Sequence, residues 1–404
     1  MHILLAHNDY GKFSGEEHAV QTIAGVLEAA GHRVSWLRPS SEAIGNLSMR
    51  KAEAFFSGIY SRRARQQIAA MLDGDRFDLV QVQNLYPFLS PSILPECRDR
   101  GLPVVMRCPN YRLFCPNGLH MTGGQVCERC LGGREWHCVV QNCEGERFKS
   151  LGYAVRNAFA RLTGMIRDNV SVFIVQSEFQ KRRFIAGGIA AERIDILPNI
   201  APEVAAPADD DPGELITFAG RLSEEKGIGE FVDAARKLPE LRFAVAGSVD
   251  DMPGVVAAAP PNVTFAGFIT GAELDAFFRR TRVFVCPSKW FEGFPNVIAQ
   301  AMAYGKPVIG TRIGAIPEIV DDGVTGLLAE PGDAGDLAER ISFLAARPQL
   351  CREMGEAGYR KARAQYSHAA FAERLAAIHR HALRMHGVVV NGSTAGGEPA
   401  ATAS

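Results

Sequence analysis

Short β-branched and aromatic runs, each followed by a segment of helical spacing, recur along most of the chain, and this alternation leaves few folds open. In the first half they lie at His2–Ala6, His32–Trp36, Asp78–Val82, Pro103–Met106, Ser171–Val175 and Arg193–Leu197. A second series follows at Leu215–Ala219, Arg242–Ala246, Val263–Ala266, Arg282–Cys286 and Pro307–Gly310. Parallel strands need a crossover between them and a helix supplies it, so each series predicts a parallel sheet flanked by helices. Between the series, residues 201–213 (APEVAAPADDDPG) are rich in Pro and Asp without apolar periodicity, the composition of an exposed linker. The expected fold class is α/β, with doubly wound domains over residues 1–200 and 214–365. SEFQ at Ser177–Gln180 reads as a capping box, with Ser177 as N-cap and Gln180 reaching back from N3. Phe371, Leu375, Ile378 and Leu383 recur at helical spacing and predict a terminal helix over 366–387. The tail, 388–404, lacks apolar periodicity and is expected to be disordered.

A net charge of −1 offers no clustered positive field, which argues against a nucleic-acid partner. No apolar run approaches the roughly 18 residues that span a bilayer. The start, MHILLAHNDYGKF, lacks a basic region followed by a long apolar core and a small-residue cleavage site. The expectation is a soluble, cytoplasmic protein, whose nine cysteines would be mostly reduced.

Two loops stand out as candidate chemistry. GRLSEEKG, Gly220–Gly227, follows one strand, and PSKWFEGFPNVIAQAMAYGKPVIG, Pro287–Gly310, follows another. In open α/β sheets, ligands bind at the carboxyl ends of strands, where helix N-termini offer unpaired N–H groups to anions. Arg221 and Lys226 would add two cations there, and Gly220 and Gly227 would let the backbone approach a ligand closely; solvated loop charges are the plainer alternative. Pro295 reads as the first helical residue and Gly305 as the stop, which puts Glu292 in the loop just before a helix N-terminus. With Trp290 and Phe291 beside it, its carboxylate is free to face a ligand, against the alternative of merely stabilising the helix dipole.

These residues resemble the retaining nucleotide-sugar glycosyltransferases of family 4, which have the GT-B fold of two facing Rossmann-like domains. SGEEHAVQTIAGVLEAAGHRV, SEFQKRRFIAGGIAAERIDILPN, GRLSEEKG and EGFP…PVIGTRIGAIPEIVDDGVTGLL occur in the family's order and cover nearly the whole ordered chain. The resemblance implies that Arg221 and Lys226 hold the diphosphate of a nucleotide-sugar donor and that Glu292 binds the sugar hydroxyls. It also implies donor contacts from Gly220, Gly293 and Phe294, and close approach of the acceptor domain at Gly15. Its acceptor would be a glycan or lipid-linked oligosaccharide of bacterial surface polysaccharide assembly, with retention at the anomeric carbon and no metal cofactor for catalysis. Two positions depart from the pattern. Gln300 stands where a ribose-binding Glu is usual, keeping an acceptor oxygen but losing the charge, and Pro109 replaces a His preceding the NYRLxCP stretch. A nucleotide-sugar epimerase and a non-catalytic nucleotide-sugar-binding subunit are the competing readings.

A cysteine-rich insert, 108–145, interrupts the first series. Its Cys127-Glu-Arg-Cys130 knuckle, with Cys115 and Cys143, makes a candidate structural zinc site in which Cys138 or His137 is a possible substitute ligand; free or disulfide-linked thiols are the alternative. His120 reads as a polar loop residue. From Arg147 to Arg167, five basic residues and no acid interleave with Phe148, Leu151, Tyr153, Val155, Phe159, Leu162 and Ile166. That pattern fits either a peripheral surface for anionic lipid at the inner face of a membrane or a core-packing helix with solvated cations.

Overall fold

The computed structural model describes residues 1–9, 15–39, 57–204 and 213–386. The strands expected from the sequence form to within a residue or two, with additions. The chain forms β1 (His2–Ala6), β2 (Arg33–Leu37), β3 (Leu79–Val82), β4 (Val104–Arg107), a hairpin of β5 (Met121–Thr122) and β6 (Gln125–Val126), β7 (Val172–Val175) and β8 (Ile194–Ile196). It continues with β9 (Leu215–Ala219), β10 (Arg242–Ala246), β11 (Val263–Gly267), β12 (Thr281–Cys286), β13 (Val308–Thr311) and β14 (Gly326–Ala329).

Two parallel sheets result, in the orders β2-β1-β3-β4-β7-β8 and β11-β10-β9-β12-β13-β14. Helices cover both faces, so inner strands such as β3, β4 and β7 are buried throughout. In the second sheet the strand order reverses between β9 and β12, the switch point at which such sheets leave a crevice for a ligand. GRLSEEKG follows β9 and PSKWFEG follows β12, so both candidate loops flank it. Strand β14 has no β-branched residue and escapes a propensity reading. Its Gly326 is what lets it pair with β13, since a Cβ there would lie 1.9 Å from the Val308 carbonyl oxygen.

The terminal helix runs His368–Met385, capped by the Ser367 hydroxyl, which accepts from the Ala370 N–H at 3.3 Å. It does not pack on the domain that precedes it in sequence. Phe371, Leu375, Ile378 and Ala382 share a core with Ile3, Leu5, Ile23, Leu27, Val105 and Val172 of the first domain. Of the expected linker, Ala201–Val204 is described and Ala201 is buried, its N–H bonded to the Tyr366 carbonyl at 2.8 Å. Residues 205–212, like the tail from 387 onward, lie outside the described residues.

The Ser177 cap forms as expected, its hydroxyl accepting from the Gln180 N–H at 3.2 Å. The reciprocal half of the capping box is displaced. Gln180 Oε1 accepts from the Gln176 N–H at 2.8 Å, and its amide donates to the Cys108 carbonyl at 2.7 Å. A fully buried amide that needs partners for both ends is better satisfied by these two than by the cap alone.

On the terminal helix, the fully buried His379 shares a 2.7 Å hydrogen bond with Gln81 Oε1. Burial pushes its pKa down to about 3 from 6.5. Between those values the unfolded chain takes up a proton that the native chain refuses, so stability falls as pH drops below about 6.5. The slope from this one group reaches about 1.4 kcal/mol per pH unit at most. Urea unfolding from pH 7 to 4 should show that loss, and His379→Gln should flatten it; an unchanged slope in the variant would remove His379 from the account.

Candidate active site

Glu292 and Lys226 meet at the switch point. Lys226 Nζ donates to Glu292 Oε1 at 2.6 Å, and the Ser288 hydroxyl donates to the same oxygen at 2.7 Å. Glu292 is buried, and Lys226 also lies 5.3 Å from the centre of the Trp290 ring. Burial works against the lysine's charge, but Glu292 outweighs it and holds the ammonium above its ordinary pKa. The backbone here is built by close approach. At Gly227, with φ of 74°, a Cβ would lie 2.0 Å from the Pro287 carbonyl oxygen, so glycine lets the two loops touch. Gly314 does the same against the Glu292 backbone, 2.6 Å from its nitrogen.

Two helices start at these loops, Ile228–Lys237 after Gly227 and Asn296–Ala303 after Pro295. Neither has a side-chain cap, which leaves N-terminal N–H groups available to an anion. Pro295 is the N-cap rather than the first helical residue, a shift of one position, and Gly305 adopts φ of 66° past the helix end as expected. Arg221 is more than half exposed and is ion-paired to Glu225. Gly220 has φ of 145°. The Phe294 ring packs edge-on against Tyr366 at 5.1 Å inside the core, so its side chain faces away from the loops. Gln300 is half-buried on the helix Asn296–Ala303, and its side chain has no hydrogen-bond partner among the described residues. Gly15 is the first residue of the helix Gly15–Ala29, and the preceding residues 10–14 lie outside the described set.

The first domain closes over this site mainly through residues that carry no signal in the sequence: Phe179, Arg183, Tyr111 and Asn199. Phe291 lies against Phe179 at 4.8 Å, His120 at 6.2 Å and Tyr111 at 6.5 Å, with the Arg183 guanidinium 5.1 Å from its ring centre. Glu318, from the quoted PEIV segment, accepts from the backbone N–H groups of Glu178 at 2.8 Å and Phe179 at 2.6 Å, capping a helix of the other domain. Asn199, within ILPN, accepts from Gln176 at 2.7 Å and hydrogen-bonds to both Arg107 and Asn296, joining the domains. Gly293 faces the same seam, where a Cβ would sit 3.0 Å from Gln176 Oε1. On the first domain's side, Glu16, Tyr86, Arg107, Pro109 and Arg112 line a polar recess. Burial raises the Glu16 pKa against the pull of Arg112 and His7. A second hollow, by Leu215, Phe243 and Arg280, lies at the amino-terminal edge of the other sheet, away from these loops.

The insert reaches the site as well. Glu128 pairs with Arg183 at 3.2 Å, and a Cβ on Gly124, in the β5–β6 turn, would meet the Glu224 carboxylate of the GRLSEEKG loop at 2.5 Å. His120 lies in the loop before β5, as expected of a loop residue, but not at the surface. It is fully buried against Tyr111, its Nδ1 is 3.1 Å from the Cys127 carbonyl, and burial lowers its pKa to about 4, so it is neutral at pH 7. Cys115, Cys130, Cys138 and Cys143 gather close enough to perturb one another. A hydrogen bond shared between Cys138 and Cys143 holds the Cys143 thiol low and the Cys138 thiol high. All nine cysteines are unpaired. Thiol donors suit zinc, yet among the described residues no three His, Cys, Asp or Glu stand in an arrangement that could hold a metal.

Residues 213–347 match the family described as glycosyl transferases group 1. Among curated proteins, the α-maltose-1-phosphate synthase of Mycolicibacterium smegmatis is 31% identical over 185 residues, covering 41% of this chain and 47% of that protein. The D-inositol 3-phosphate glycosyltransferase of a Mycobacterium species is 31% identical over 205 residues, 45% and 46% of the two chains. Each alignment thus spans less than half of the relative. Solved structures match over nearly full length: sucrose-phosphate synthase from Thermosynechococcus elongatus at a TM-score of 0.71 and 18% identity, covering 95% of this chain and 99% of that one. Anabaena Alr3699/HepE, solved in complex with UDP, matches at 0.65 and 17%, covering 93% and 99%. The chain therefore has the GT-B fold, and its residues 213–347 are similar to the glycosyl transferases group 1 family.

Proposed function

We propose that this chain is a retaining glycosyltransferase that moves a sugar from a nucleoside diphosphate donor to a glycan or lipid-linked acceptor of bacterial surface polysaccharide assembly. The observation that carries it is the Lys226–Glu292 pair, seated between two uncapped helix N-termini at the switch point. Departure of a diphosphate places negative charge on its oxygens and positive charge on the anomeric carbon. Lys226, Arg221 and the helix N–H groups oppose the first charge, and they do so without reorganising at the moment of reaction. Glu292 accepts from sugar hydroxyls and orients the ring, so donor entry exchanges its contact with Lys226 for one with the sugar while Lys226 turns to phosphate. The seam between Phe291 and the first domain brings the acceptor to the donor's front face, which retains configuration, and excludes water. Incubation with a panel of nucleoside diphosphate sugars should yield nucleoside diphosphate only when a glycan or lipid-linked acceptor is present. The uridine donors come first in that panel because Alr3699/HepE was solved with UDP-glucose. Interconversion of the donor sugar without acceptor, or binding without turnover across panel and acceptors, would overturn the reading.

The insert's thiols are proposed to hold one structural zinc ion, on the strength of the Cys127–Cys130 spacing and thiol donor chemistry. Cys115, Cys127, Cys130 and Cys143 would be the ligands, with Cys138 a possible substitute. Elemental analysis of protein purified under reducing, chelator-free conditions should find about one zinc per chain, and Cys130→Ser should abolish it. Metal-free protein of unchanged stability would leave a set of buried thiols.

A further inference from the structure

The helix Arg147–Leu162 is folded with its apolar stripe outward. Its inner face carries Ser150, Gly152, Ala154, Arg156, Asn157 and Ala160, whereas Phe148, Leu151, Val155 and Leu162 are exposed. At about 100° per residue these four lie within roughly 60° of one another around the helix axis. The short helix Trp136–Val140 packs beside it and exposes Trp136 and Val140. Six of the twelve large apolar side chains exposed among the described residues therefore fall between 136 and 162, which makes a patch rather than the scatter of a normal surface. The core-packing alternative read from the sequence does not hold for this stripe, because the core side is taken by small and polar residues. Arg156 explains that inversion: it is buried, 4.3 Å from the Tyr86 ring centre and 4.5 Å from that of Tyr153, and it donates to the Pro116 carbonyl at 3.1 Å.

We propose that this outer face, the Arg147–Leu162 helix with Trp136 and Val140 beside it, seats the protein on an anionic lipid surface. The charge around it selects that occupant. Residues 129–168 hold seven Arg and Lys against four Asp and Glu, in a chain whose net charge is −1. Of the acids, Glu135, Glu144 and Asp168 are already tied to Arg161, Lys149 and Arg167. Arg129, Arg134 and Arg147 are exposed and make no ion pair among the described residues. Cations bordering an exposed Trp, Phe and Leu stripe match a headgroup region with apolar chains beneath it. A second copy is the poorer fit, since a two-fold contact through this helix would bring these arginines against their own copies. Among the described residues no helix is long and apolar enough to cross a membrane, so the contact is a surface one.

The inner face gives the docking a use. Asn157 donates to the Arg112 carbonyl at 2.6 Å, and Arg156 stacks on Tyr86; Arg112 and Tyr86 both line the polar recess. One helix thus links the lipid surface to the acceptor side of the cleft, and a lipid-borne acceptor head would enter there. This last step rests on the proposed transferase reading, whereas the docking does not.

Flotation of the full chain with vesicles tests it independently of any activity. The protein should float with phosphatidylcholine vesicles containing phosphatidylglycerol, less with phosphatidylcholine alone, and less again in high salt. The combined variant Leu151→Ser, Val155→Ser, Leu162→Ser changes only exposed positions and should keep its fold by circular dichroism while losing about tenfold or more in vesicle partitioning. Brominated lipid should quench tryptophan emission in the wild type and much less in Trp136→Phe. No flotation with anionic vesicles, or partitioning of the triple variant equal to wild type, overturns the proposal. So does a concentration-dependent dimer that the triple variant loses, which would make the face an interface between copies.

Discussion

Glu292→Gln is expected to reduce sugar transfer by about 10²–10³-fold, the scale seen when one preorganised polar contact to a reacting group is removed. The same substitution should leave affinity for the bare nucleoside diphosphate unchanged or tighter. That second expectation comes from the structure: Lys226 is held by Glu292 before any ligand binds, so neutralising the carboxylate frees the ammonium for phosphate. Lys226→Ala should do the opposite and weaken nucleoside diphosphate binding, because a charge-assisted contact contributes about 1.5–3 kcal/mol. Measuring turnover and calorimetric affinity on the same protein separates the two roles. Wild-type transfer by Glu292→Gln would disprove the assignment of this centre, and a parallel loss of nucleotide affinity would mean that Glu292 orders the loop rather than the sugar.

Leu375→Ala should destabilise the first domain, although residue 375 follows the whole of the second in sequence. Leu375 is 1% exposed and lies in the core with Ile3, Leu5 and Val172. Truncating such a side chain costs about 2–5 kcal/mol, depending on how far the cavity collapses. Native-state hydrogen exchange locates the damage: protection should fall in β1 and β7 while β9 and β12 keep theirs. Loss confined to the second domain would show that the terminal helix contributes nothing to the first.

The departures from the family pattern take on different weights once the geometry is known. Gln300 sits on the helix that begins beside Asn296, with its amide free of protein partners among the described residues, so it can still bond a hydroxyl. Pro109 lines the acceptor-side recess with Arg107 and Arg112 and faces Gly293 across the seam, where a Cβ on that glycine would be 3.5 Å from its carbonyl oxygen. A backbone carbonyl there can accept from a ligand but cannot donate, unlike an imidazole.

Much of this architecture was legible along the chain because it is local. The βα alternation, the Ser177 cap and the Gly305 stop each depend on neighbours within a few residues, and each set its element in place to within a residue or two. Even the loops that carry Arg221, Lys226 and Glu292 could be assigned to strand ends from spacing alone. What no local pattern contains is which distant groups meet. Lys226 and Glu292 are 66 residues apart and Glu318 reaches a helix 140 residues away, and only the reversal of strand order and the closing of two domains bring them together. The same limit explains the two helices whose surroundings surprised. A 3.6-residue period shows that a helix has an apolar stripe, but it is silent on whether that stripe meets its own domain, another domain or solvent. For His368–Met385 the first sheet covers the stripe; for Arg147–Leu162 the buried Arg156 and Asn157 claim the inner face, and the stripe is turned out.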